Sequence, residues 1–173
     1  MKKASLLAFG VLVALITTQC KKNESKPATP ASDPNQDLFN EANATGNFTY
    51  YKNSATILAS SPGSGHPNFM RVRFNTIAQA ALGTDGKLPS GGSFPDGSMI
   101  VKEVFSANDA STVTSWAVMK KTNTANTANG YVWGEYQTNG AVVYSITNKG
   151  ATCTGCHSAA GNRDMVRLFE IFP

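Results

Sequence analysis

The chain has 173 residues, a net charge of +4 and only 15% charged residues. That length suits one domain with a short extension. The mild positive balance, with no basic patch interleaved with aromatic side chains, excludes a nucleic-acid partner.

Met1-Lys2-Lys3 and the apolar run from Leu6 to Ile16 read as an export signal. The run is too short to span a bilayer as a mature helix. It ends at Thr17-Thr18-Gln19-Cys20 without an A-x-A cleavage pattern, and a cysteine just after such a run resembles the lipobox of bacterial lipoproteins. We therefore expect a signal peptide over residues 1–19, with Cys20 lipidated. The protein is then exported and anchored by lipid alone, facing the periplasm or outer surface of a bacterium. An ordinary export signal cut nearby is the alternative. Lys21 to Gln36 holds no aliphatic or aromatic residue larger than alanine. Such a stretch buries too little to offset its ordering entropy, so residues 20–36 read as a flexible tether and 37–173 as the domain.

Within the domain, Asp37 to Ala44 reads as a short helix with Asp37 near its start. Phe48, Tyr51, Ala55 and Leu58 recur at helical spacing and predict a second helix. A Gly- and Pro-rich loop follows from Ser60 to Pro67. Phe69 to Phe74 alternates, with Met70, Val72 and Phe74 on one side and Arg71 and Arg73 on the other, which predicts a half-buried strand. The two arginines are expected to face solvent. Asn75 caps a short helix containing Ile77, Ala78, Ala81 and Leu82, closed by Gly83. After a glycine-rich loop from Thr84 to Gly97 come four predicted strands, Ser98–Ser106, Thr114–Lys121, Tyr131–Thr138 and Ala141–Thr147. Asn139-Gly140 marks a hairpin between the last two. A final helix is expected from about Asn162 to Glu170. The fold class is α+β: a mainly antiparallel β-sheet with short flanking helices.

Cys153-Thr154-Gly155-Cys156-His157 is a C-x-x-C-H run, the attachment signature of c-type haem. Its thiols add to the haem vinyl groups as thioethers, and the adjacent histidine is the proximal iron ligand. A redox disulfide expects an alternating strand–helix pattern around it, which is missing. A zinc site needs further ligands, and the other Cys and His are Cys20 and His66. One covalent haem c thus accounts for Cys153 and Cys156, and lipid for Cys20, with no thiol left for a structural disulfide.

Phe94-Pro95-Asp96-Gly97-Ser98-Met99-Ile100-Val101-Lys102-Glu103, then Trp116-Ala117-Val118-Met119-Lys120-Lys121, then Gly130-Tyr131-Val132-Trp133, the haem motif and Asp164-Met165-Val166 form a set. From about Ser60 to Phe169 the chain resembles the cytochrome P-460 family. The resemblance implies a mainly antiparallel β fold, often dimeric. It also implies oxidation of hydroxylamine or handling of nitric oxide at an open distal haem site, with electrons passed to an acceptor such as a soluble cytochrome. In the best-known members a lysine is bonded to a porphyrin meso carbon, and that lysine falls on Lys102. Relatives called cytochrome c′-beta lack the bond and bind nitric oxide.

Two readings of Lys102 stand. On its strand Ile100, Lys102 and Val104 share one face, and Met99, Val101, Glu103 and Phe105 the other. Both faces are apolar, so each charge needs a partner or a shifted protonation state. Lys102 either lies against the macrocycle or snorkels to the sheet edge or a propionate. Glu103 and Glu135 are candidates for an acid above the iron, with ion pairs to Arg71, Lys120 or Lys121 as the alternative and as the favoured reading for Glu135. His66 is either a sixth ligand, which makes an electron carrier, or a structural hydrogen-bonding residue. Met70, Met99 and Met119 read as core, with iron ligation as the alternative, and Trp116, Tyr131 and Trp133 read as core, with stacking on the haem as the alternative. For Arg71 and Arg73, expected to face solvent, pairing with a haem propionate is the alternative.

Overall fold

Asp33-Pro34 opens the first helix. The computed structural model describes residues 32–60, 65–66, 69–108, 112–124 and 127–172. There α1 spans Pro34–Asn43, and the Asp33 side chain accepts a hydrogen bond from the Asn35 N–H at 2.9 Å. Proline sits where its missing N–H costs nothing. The helix therefore starts ahead of Asp37 and takes in the end of the expected tether. The segment 1–19, Cys20 and the tether through residue 31 lie outside the described residues, as does most of the loop before Phe69.

The helical spacing after Phe48 does not produce a second helix. It gives β1, Phe48–Tyr50, a tight turn at Tyr51–Asn53, and β2, Leu58–Ala59. Both strands pair antiparallel with β3, Phe69–Asn75. Lys52 and Asn53 take left-handed φ values of 51° and 54°, which no right-handed helix tolerates. The aromatic and β-branched run Phe48-Thr49-Tyr50 suits a pleated edge instead.

Asn75 then caps α2, Thr76–Ala80, by accepting from the Ala78 N–H at 2.9 Å. It also accepts from the Met99 N–H at 3.0 Å and donates to the Gly97 carbonyl at 2.9 Å. One side chain thereby joins a helix start to the next strand. The helix stops before Gly83, whose N–H closes a turn on the Lys87 carbonyl at 2.8 Å.

The remaining strands are β4, Met99–Phe105; β5, Val113–Lys121; β6, Tyr131–Gln137; and β7, Val142–Tyr144. Among the described residues the sheet has order β1-β3-β4-β5-β6-β7, with β2 also on β3, and every pairing is antiparallel. The α+β expectation holds. Asn139-Gly140 does turn the β6–β7 hairpin: the Gly140 N–H bonds to the Gln137 carbonyl at 2.9 Å, with Gly140 at φ +88°.

Each face of the sheet has its own core, which explains why β4 is apolar on both sides. Met99, Val101, Val118, Val132 and Tyr136 pack under Leu38, Phe39 and Ala42 of α1. Met70, Val72, Phe74, Ile100, Met119, Tyr131 and Trp133 face the other way and pack with Val166, Leu168 and Phe169. The C-terminal segment thus closes over the face opposite α1. It contributes α3, Thr154–His157, and α4, Leu168–Ile171.

Two further expectations are corrected. Arg71 and Arg73 do not face solvent: they bracket Glu103, at 2.7 Å from the Arg71 Nε and 3.0 Å from the Arg73 Nε. Arg73 is 2% exposed, donates to the Ala42 carbonyl at 2.7 Å and lies over the Phe48 ring. The α1 face has to bury the charge on Glu103, and the two guanidiniums neutralise it, with Arg71 Nε also donating a hydrogen bond to its carboxylate. The helix expected over 162–170 shrinks to Leu168–Ile171, because Asp164 and Met165 adopt φ values of 45° and 69°.

Candidate haem site

The C-x-x-C-H run forms one helical turn. Cys153 and Thr154 each donate a backbone N–H to the Gly150 carbonyl, and His157 closes the turn on the Cys153 carbonyl at 3.2 Å. Asn162 Nδ2 donates to the Cys156 and His157 carbonyls at 3.0 and 2.9 Å and so satisfies the end of the turn. At α-helical spacing Cys153, Cys156 and His157 share one side, and all three line one cavity of about 330 Å³. That volume is within the range of about 300–1,000 Å³ typical of cofactor and ligand pockets.

Gly150 permits this placement. It has φ +66°, and a Cβ there would fall 2.5 Å from Trp133 Cδ1. Gly150→Ala should therefore destabilise the protein by roughly 2 kcal/mol and lower its haem content. Thermal melting and a pyridine haemochrome assay measure the two effects, and a fully loaded variant of native stability would overturn the account.

The left-handed pair Asp164-Met165 explains the lost helix. It aims the Met165 carbonyl at His157 Nδ1, 2.7 Å away. A carbonyl only accepts, so Nδ1 carries the proton and Nε2 keeps its lone pair for a metal. Burial lowers the His157 pKa, only partly offset by the Met165 carbonyl, and nearby Arg167 and Lys102 lower it further. The ring is thus neutral, as ligation requires. Trp133 meets it edge-on with ring centroids 4.9 Å apart.

Asp164 holds the turn in place. Its carboxylate accepts from Lys121 Nζ at 2.8 Å, the Phe94 N–H at 2.7 Å, the Tyr131 hydroxyl at 2.9 Å and Ser93 Oγ at 3.0 Å. Burial works against its charge, but these hydrogen bonds outweigh it and leave the pKa lowered.

Across the cavity face, Val72, Lys102, Ala117, Glu135 and Tyr144 fall in one register row from β3 to β7. All five line the cavity. Lys102 is lowered to about 8, chiefly by burial and also by Arg167, with Glu135 opposing. Burial raises the Glu135 carboxyl, and Ser115, whose Oγ donates to it at 3.3 Å, and Lys102 only partly counter the rise. Ala117 separates Lys102 from Glu135 in the row, and its small side chain leaves room between them. His66 also lines the cavity, with Nδ1 3.9 Å from Glu135. Its pKa falls to about 4, first through burial, then through Lys102 and His157. It is therefore neutral near pH 7, and the contact is not an ion pair.

The site thus unites Cys153, Cys156, His157, Lys102, Glu135 and His66. Glu103 is corrected out of it: this residue points to the α1 face, where both arginines hold it. The reading of alternating residues on β4 had already separated it from Lys102. Ala117, Gly150 and the positioning roles of Asp164 and the Met165 carbonyl were not recognised from sequence. For Asp164 the available signal was its presence just before Met165-Val166 in the family-like stretch.

The residues fit a haem. Both thiols are unbridged, His157 has its ligating nitrogen available, and Ile100, Met119, Trp133 and Leu168 supply an apolar wall. An antiparallel sheet with such a site defines a haem-binding cytochrome. The Cytochrome P460 family model matches residues 49–168, and the chain belongs to that family of haem c cytochromes. A search of curated proteins found no match.

Proposed function

We propose that the protein is an exported cytochrome, lipid-anchored through Cys20, that carries one covalent haem c and oxidises hydroxylamine or handles nitric oxide. Cys153 and Cys156 hold the haem as thioethers and His157 is its proximal ligand. The observation that carries this reading is the meeting of the C-x-x-C-H turn with Lys102 and Glu135 in one apolar cavity. When bound, the haem supplies the redox centre that takes electrons from a small nitrogenous substrate; an acceptor such as a soluble cytochrome removes them.

The surrounding residues manage protons and water. Glu135, whose carboxyl burial raises above the ordinary carboxylate range, is a stronger proton acceptor than an exposed carboxylate. It holds the proton at the carboxylate that Ser115 orients. Met119, Ile100 and Trp133 exclude water from the wall. Lys102, lowered to about 8, holds roughly a tenth of its population as neutral amine at pH 7, the form able to bond a macrocycle carbon.

The dithionite-reduced optical spectrum tests this. We expect a broad Soret band far to the red of ordinary ferrous haem c, restored to the ordinary position in Lys102→Met. An ordinary band in the native protein rejects the Lys102 bond. Failure of hydroxylamine to reduce the ferric protein, together with no spectral change on adding nitric oxide, rejects the function.

A further inference from the structure

Trp133 and Tyr131 lie two residues apart on β6 and share the cavity-side core, at 3% and 0% exposure. Trp133 touches the His157 ring with centroids 4.9 Å apart, and Tyr131 follows at 5.8 Å from Trp133. The Tyr131 hydroxyl donates to Asp164 Oδ2 at 2.9 Å. Asp164, 12% exposed, ends the series in its ion pair with Lys121. An unbroken line of oxidisable rings therefore runs from the proximal imidazole to a carboxylate near the surface.

The phenol's partner distinguishes it from other tyrosines. Tyr144 lines the cavity, but its hydroxyl donates to the Asn148 carbonyl, and Tyr51 donates to the Phe172 carbonyl. A backbone carbonyl cannot keep a proton; a carboxylate can. The Lys121 ammonium, 4.5 Å from the centre of the Tyr131 ring, opposes any positive charge left there. Electron loss at Tyr131 must therefore be coupled to loss of its proton, and Asp164 is already hydrogen-bonded to receive it.

We propose that Trp133 and Tyr131 form a redox relay that protects the haem site against peroxide, with Tyr131 as the terminal electron donor and Asp164 as its proton acceptor. Hydrogen peroxide takes two electrons and two solvent protons to become two waters. One electron comes from the haem group and the other from Tyr131 by way of Trp133. The Tyr131 O–H bond breaks, its proton passes to Asp164, and a neutral phenoxyl radical remains. Two equivalents of a one-electron reductant such as ascorbate then restore the haem group and the phenol, which takes its proton back from Asp164. The relay rests on the haem reading above but not on the choice of nitrogenous substrate.

The test is freeze-quench electron paramagnetic resonance of the full-length, haem-loaded ferric protein mixed with stoichiometric hydrogen peroxide. We expect a tyrosyl signal that is lost in Tyr131→Phe, diminished in Trp133→Phe and kept in Tyr144→Phe. All three variants are compared at equal haem content by pyridine haemochrome assay. In excess peroxide, Soret bleaching should be faster in Tyr131→Phe than in the native protein. A signal unchanged in Tyr131→Phe, one removed by Tyr144→Phe, or no tyrosyl signal in the native protein overturns the relay. Absence of haem c from the purified native protein instead overturns the haem reading itself.

Discussion

Replacing Glu135 with Gln should lower kcat for hydroxylamine oxidation about a hundredfold, the lower end of what a positioned general base contributes. Haem content and the Soret position should not move. The amide keeps the shape of the side chain but cannot take a proton. Since Glu135 accepts protons only when ionised, native activity should fall as pH drops through its raised pKa. That acid limb should be missing from the variant. Glu103→Gln is the informative control: it lies on the α1 face between Arg71 and Arg73, so it should reduce stability and leave the pH profile unchanged. Native kcat in Glu135→Gln would falsify the proton-acceptor role.

Asp164→Ala should cost about 3 kcal/mol of stability, the scale for breaking a buried ion pair from one side. It leaves Lys121, the Tyr131 hydroxyl and the Phe94 N–H without their common acceptor. It also releases the turn that presents the Met165 carbonyl to His157, so haem loading should fall with stability. The pH dependence has a definite sign. The folded-state pKa of Asp164 is depressed below its ordinary value of 3.8, so its contribution is fully present above that value and is lost as pH falls through the folded pKa. Denaturant melts of the native protein and Asp164→Ala should therefore differ most above about pH 4 and converge in stronger acid. A constant difference down to the lowest pH would show that the carboxylate's charge is not what Asp164 contributes.

Much of the site was legible because its signals are local. The haem run reads from five adjacent residues, and helical spacing alone puts its two thiols and imidazole on one side. Alternation along β4 assigned Lys102 and Glu103 to opposite faces. Asn75 as a cap and Asn139-Gly140 as a hairpin turn follow from side chains bonding to, or backbone bending at, their own neighbourhood. The helix expected after Phe48 failed for the opposite reason: spacing at that point fitted a helix, but pairing with β3 decided the outcome. In one dimension neither Glu103 nor Glu135 can be assigned as the acid, and an ordinary ion pair is the favoured reading for Glu135. They parted only when strand register put Glu135 beside Ala117, across from Lys102, and placed Glu103 between two arginines.

Adjacent residues thus pointed to a haem as the cofactor and to the side chains we propose attach it, because an attachment run and a helical turn are short-range features. Which acid shares the cavity, which turn orients His157 and which rings reach it depended on contacts between strands far apart in sequence. Those depend on register and on left-handed backbone at Asp164 and Met165, which only the assembled sheet and its C-terminal cover impose.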